Sequence, residues 1–120
     1  MKPIVRISAG LAIVGGLLAS AAATAAAPVS FVACAACHSV DGKQGLGPSM
    51  KGVVGRKAGA EAGFSFSQAM RNAKVTWDEK TLDAFLADPQ KVVPGNAMPF
   101  PGVADAKQRA EIVDYLKTVH

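Results

Sequence analysis

Cys34, Cys37 and His38 are residues whose types and spacing could do chemistry together. At i, i+3 and i+4 they share one face of a helix, because residues three and four apart are surface neighbours there. Two thiols beside an imidazole suit a flat, iron-bearing macrocycle. The sulfurs can bond its vinyl groups while the ring nitrogen reaches the metal. Cys-x-x-Cys-His is the attachment pattern of c-type haem, so one covalently bound haem c is the expected cofactor. Rival chemistries fit less well. Thiol–disulfide exchange of the thioredoxin kind expects a βαβ context, and no segment here alternates as a strand. A structural zinc site uses four ligands, and beyond this trio only the terminal His120 is on offer. A Cys34–Cys37 disulfide would close a very short loop and add little stability.

An iron bound by His38 has a second axial position, for which Met50, Met70, Met98 and His120 are the candidates. Met50 lies close to His38 in a loop better suited to supporting the histidine side. Met70 falls in a helical stretch, where methionine is usually core. His120 is the last residue, where chains fray. Met98 sits in Pro94-Gly95-Asn96-Ala97-Met98-Pro99-Phe100-Pro101. The prolines stiffen that loop, and enough chain separates it from His38 to wrap round to the other face. Methionine opposite histidine raises the reduction potential. With both axial positions filled, no open site is left for oxygen or peroxide. The expectation is a carrier and not an enzyme. A haem enzyme with a labile Met98 and peroxidase-like chemistry, or a haem c electron-input subunit of an enzyme or membrane, is the alternative.

The chain has 120 residues and a formal charge of +4. Lys2 and Arg6 precede an uncharged apolar run from Ile7 to Leu18, and Ala23-Thr24-Ala25 or Ala25-Ala26-Ala27 offers a small-residue cleavage site. This predicts a signal peptide over residues 1–25, with cleavage as late as 27, and one domain over 26–120. Loss of Lys2 and Arg6 would lower the charge to +2, so the basic balance does not imply nucleic acid. The expected location is the periplasm, where c-type haem is attached. A retained membrane anchor is the competing reading, since residues 7–27 are uncharged over about the length of a bilayer span. The second half of that run is mostly alanine, which adds little transfer energy. No stable membrane insertion is expected after cleavage, and the mature chain is expected to be a monomer.

A domain this small is marginal by itself, so the haem must also stand in for missing core. The elements around it are expected to be short. Pro28 to His38 reads as a helix with Pro at its start, using Val29, Val32 and Ala33 as its apolar side. Residues 42–59 are glycine-rich loop, anchored by Leu46, Met50, Val53 and Val54. Ser67 to Ala73 could form a brief helix. Thr76 to Asp88 is a firmer one, with Thr76 and Glu79 as a capping box, Leu82, Phe85 and Leu86 as its buried stripe, and Pro89 as its stop. Pro89 to Gly102 reads as extended loop. Asp105 to Val119 is the last helix, with Asp105 and Gln108 as a capping pair and Ile112, Tyr115, Leu116 and Val119 as its apolar face. The predicted class is all-α: three to four short helices and long loops wrapped around one haem.

In this order the motifs resemble a class I cytochrome c, of the small monohaem bacterial type similar to the mitochondrial protein. The resemblance rests on Cys34-Ala-Ala-Cys-His38, Gly47-Pro48, Gly55-Arg56-Lys57-Ala58-Gly59, Trp77, Pro94-Gly95-Asn96-Ala97-Met98 and Tyr115-Leu116-Lys117, and covers about Phe31 to Thr118. It implies that the Pro48 carbonyl accepts a hydrogen bond from His38. It also implies that Trp77 and Arg56 lie near a haem propionate, that Phe100 covers the haem beside Met98, and that the first and last helices cross at Ile112 and Tyr115. Implied partners are redox proteins: a quinol–cytochrome c oxidoreductase, a terminal oxidase or another haem enzyme. The chain departs from the pattern in a clipped first helix, a shorter loop between His38 and Pro48, and phenylalanine at 66 and 85 where many relatives have tyrosine. Ala33, Gln90, Ala97 and Ala104 replace lysines that ring the exposed haem edge in mitochondrial relatives.

Overall fold

The computed structural model describes residues 25–120 and Gly16. The expected signal peptide falls almost wholly outside the described residues. A single 3-10 turn, Val29–Phe31, leads into α1 (Val32–Ala35), which Cys37 and His38 extend by donating both backbone N–H groups to the Cys34 carbonyl, at 3.1 and 2.9 Å. The remaining helices are α2 (Gln68–Asn72), α3 (Glu79–Ala87), α4 (Pro89–Val92) and α5 (Ala106–Lys117). Among the described residues the only extended pairing is one isolated antiparallel bridge, Lys57 with Thr76. The chain is all-α, as its periodicity implies.

The first helix is shorter than expected, and its apolar contacts differ. Val29 and Val32 are 89% and 67% exposed, while Phe31 is buried at 3%. A 3-10 turn advances residues by a tighter rotation than an α-turn, which brings Phe31 to the inner side. Its ring meets Tyr115 edge to face, with centroids 4.9 Å apart. What packs on α5 is therefore the 3-10 turn, through Phe31 and Tyr115, and not α1; Ile112 of α5 is 1% exposed. Burying an isoleucine or phenylalanine side chain this fully contributes about 1.5–3 kcal/mol.

α2, α3 and α5 each start on a side-chain cap. Ser67 caps α2 by accepting from the Met70 N–H, and Asp105 caps α5 by accepting from the Gln108 N–H. For α3 the expected Thr76–Glu79 box is wrong. Asp78 is the cap, taking the Thr81 N–H at 2.7 Å, while the Thr81 hydroxyl takes the Asp78 N–H at 2.8 Å. Both pairs have the spacing of a capping box; the bridge between Lys57 and Thr76 holds Thr76 in extended backbone and delays the helix by two residues. Pro89 also does more than stop α3. It occupies the first turn of α4, where its missing N–H costs nothing, and Asp88 caps that turn by accepting from Lys91. The predicted extended loop from Pro89 thus begins as a helix.

Of the four apolar anchors expected in the glycine-rich loop, Val53 is buried and Met50 packs against the core, whereas Leu46 is 85% and Val54 38% exposed. The loop is tied near its middle: Met50 N–H donates to the Ser39 carbonyl and Gly52 N–H to the Val119 carbonyl, at 2.8 and 2.9 Å. Later, Gly102 (φ 116°) lets the chain lie against α3, where a Cβ would come within 2.5 Å of the Ala87 carbonyl oxygen.

Hydrogen bonds from Thr81 hold the Asp78 carboxyl below its usual pKa. A depressed folded pKa makes the cap's stabilisation fully present above the unfolded carboxylate pKa and lost as pH falls through the folded one. Asp78→Ala should lower the urea midpoint at neutral pH, and the gap to wild type should close on acidification. Thr76→Ala should show no such pH-dependent gap.

Candidate haem site

His38 is held by its neighbours before any metal is considered. Its Nδ1 lies 2.7 Å from the Pro48 carbonyl oxygen. A carbonyl only accepts, so Nδ1 carries the proton and Nε2 keeps its lone pair free to bind a metal. The residue before Pro48 must be glycine for this to work. A Cβ on Gly47 would stand 2.5 Å from His38 Cε1 and 2.7 Å from Nδ1. Gly47 N–H in turn donates to the Cys37 carbonyl at 2.9 Å, closing the loop onto the motif that it supports.

Cys34, Cys37, His38, Pro48, Arg56, Trp77, Met98 and Phe100 all line one cavity of about 680 Å³. That volume lies within the range of about 300–1,000 Å³ typical of ligand and cofactor sites. Its remaining wall is mostly apolar: Leu82, Phe85 and Leu86 from α3, Ile112 and Leu116 from α5, and Met50 and Met70. These helix stripes were legible as core faces; what they face is the cavity as well as each other. Of the other ligand candidates, Met50 and Met70 reach the cavity, and His120 does not line it.

The two thiols are half-buried and form no disulfide. Burial pushes the Cys34 thiol pKa up. Among the described residues no group of three or more His, Cys, Asp or Glu is placed to hold a metal ion. The zinc reading therefore has no donor set.

Met98 stands on a loop built from side-chain amides. Asn96, 7% exposed, donates to the Pro89 and Val93 carbonyls at 3.0 and 2.9 Å and accepts the Met98 N–H at 3.0 Å. Gln90 clamps the same loop, accepting from Gly95 N–H and donating to the Asn96 carbonyl, both at 3.0 Å. Gln90 is thus part of the loop's support. Trp77 is buried, its ring 4.9 Å from that of Phe85, while Phe66 packs edge to face on Phe64 at 4.9 Å. Each phenylalanine that replaces a tyrosine has found an aromatic neighbour instead of a hydrogen bond. Arg56, facing the cavity, is paired with Glu61 at 2.5 Å. Sequence reasoning missed that pair, because loop contacts leave no periodic signal.

A cavity with two thiols and an imidazole on one wall, a thioether on another and an apolar interior has the shape and donors of a haem pocket. The profile of the cytochrome c family matches residues 23–120. The chain is 50% identical over 94 residues to cytochrome c2 iso-2 of Magnetospirillum molischianum, covering 78% of this chain and 97% of that one. It is 43% identical over 118 residues to cytochrome c2 of Rhodomicrobium vannielii, covering 92% and 94%. Among solved structures, cytochrome cH from Methylobacterium extorquens superposes with a TM-score of 0.72 at 49% identity, covering 74% of this chain and 91% of that one. The chain belongs to the cytochrome c family. It is an electron carrier that works with other redox proteins and binds one haem covalently through Cys34 and Cys37.

Gly47→Ala tests the histidine's seat. Overpacking at the His38 ring should destabilise the haem-loaded protein by about 1–3 kcal/mol in urea and lower the yield of haem-loaded chain.

Proposed function

We propose that this protein is a periplasmic one-electron carrier with His38 and Met98 as the axial ligands of its haem. The observation that carries the reading is the shared cavity, into which the cysteine–histidine turn and the Met98 loop both open. The bound haem supplies a one-electron couple. The chain's own residues do the rest. Pro48 and Gly47 orient His38 and keep Nε2 unprotonated. Asn96 and Gln90 hold the Met98 backbone, so the thioether needs little ordering to reach its position. Phe85, Leu82, Leu86 and Phe100 exclude water from the pocket, which keeps charge changes there strongly felt. The Trp77 indole and Arg56 stand in the wall as donors suited to a propionate.

The periplasmic reading rests on the leader-like grammar of residues 1–25, and no helix of the described residues is long and apolar enough to cross a membrane. A quinol-oxidising complex as donor and a terminal oxidase or other haem enzyme as acceptor fit a carrier in that compartment. Ala33, Gln90, Ala97 and Ala104 are all exposed and uncharged, so docking there relies on apolar contact more than on a ring of lysines.

Two measurements test the reading. The mass of the exported product should equal the chain from residue 26 or 28 plus one haem; a free-thiol or disulfide mass overturns it. Ferric protein should show the near-infrared absorbance band of methionine–iron bonding. Met98→Ala should abolish that band, and its survival would assign the second ligand elsewhere.

A further inference from the structure

Arg56 is almost enclosed, and what encloses it is a carboxylate. Its side chain is 16% exposed and that of Glu61 20%. The guanidinium makes three contacts: Nη1 to Glu61 Oε2 at 2.5 Å, Nη1 to the Lys51 carbonyl at 3.0 Å and Nη2 to the Ser49 carbonyl at 2.9 Å. Glu61 is oriented from the other side, where Oε1 accepts from Gln44 Nε2 at 3.3 Å. Gln44 also donates to the Ala62 carbonyl and accepts the Ser49 N–H, at 3.2 and 3.1 Å. Ser49 itself is fully buried and follows Pro48, the residue that seats His38. Glu61 therefore joins the loop behind the histidine to the loop that carries Phe64 and Phe66 into the cavity wall.

The charges matter because the rest of the wall is largely apolar. Arg56 and Lys57 are the cationic side chains that line the cavity, and Lys57 is solvent-exposed. A pair shielded from solvent is screened by salt much less than surface charges are. Resting on the haem-carrier reading, we propose that Glu61 is a positioning residue that sets the reduction potential of the protein by holding and neutralising Arg56 in the cavity wall.

The sign follows from charge. Reduction adds one electron and makes the centre less positive, so a nearby cation favours the reduced state and a nearby carboxylate the oxidised state. Glu61 offsets Arg56 and lowers the potential. Glu61→Gln keeps the shape and a carbonyl for Arg56 but removes the carboxylate charge that sits beside the guanidinium. It should raise the ratio of reduced to oxidised protein at a fixed ambient potential by roughly tenfold, the scale of one unit charge inside a protein, or about 59 mV for a one-electron couple.

Spectroelectrochemical titration of the haem-loaded protein is the test. Glu61→Gln should raise the midpoint, Arg56→Gln should lower it, and Glu61→Asp, which retains the charge, should stay nearer wild type. Glu111→Gln controls for net charge, since Glu111 is exposed and does not line the cavity. A shift in Glu61→Gln no larger than in Glu111→Gln overturns the proposal, as does an equal shift in Glu61→Asp. Intact haem mass and near-infrared band in the variants show that the site survives; their absence in the wild type would sink the carrier reading instead.

Discussion

A helical turn can line up two thiols and an imidazole, but it cannot hold the imidazole still. The bond from His38 Nδ1 to the Pro48 carbonyl does that, at 2.7 Å. It fixes the tautomer and aims Nε2 at the cavity. Everything around it serves to keep that carbonyl in place. Gly47 gives way to the ring, Ser49 is locked by Gln44 and Arg56, and Gly52 is tied to the far end of the chain. The loop has little secondary structure because its work is to present single backbone groups at defined points, and glycines permit that where helices do not.

A domain this small buries too little surface to be more than marginal by itself, and its helices face a cavity as well as each other. Leu82, Phe85 and Leu86 of α3 and Ile112 and Leu116 of α5 are buried and also line the cavity. Removing a flat, apolar cofactor from such a wall would leave these side chains facing a void, and unfilled volume costs contacts that the protein cannot recover elsewhere. Folding and cofactor retention are for this reason one problem in this molecule.

How much of this the sequence carried depended on whether the signal was local. The cysteine–histidine turn, the Asp105 cap and the stripes of α3 and α5 are set by spacing along one segment, and they stand as read. The start of α3 was ambiguous because Thr76–Glu79 and Asp78–Thr81 have the same spacing; a bridge to Lys57, distant in sequence, decided between them. Pro89 was legible as a stop but not as a start, because the cap that begins α4 is the same Asp88 that ends α3. Phe31 was overlooked for Val29 and Val32 because a 3-10 turn rotates its residues differently from an α-helix. The Arg56–Glu61 pair lay beyond any pattern, since two loop residues meet only when the loop is folded.

The bond from Gly52 N–H to the Val119 carbonyl has a consequence in time. Val119 is buried and follows α5, the helix whose Tyr115 meets Phe31. A ribosome makes the cysteine–histidine turn long before it makes α5. Until α5 and Val119 exist, the turn lacks Tyr115 against Phe31 and the loop that seats His38 lacks its far anchor. The motif is thus synthesised early and sheltered late, and for that interval its two thiols belong to an open chain.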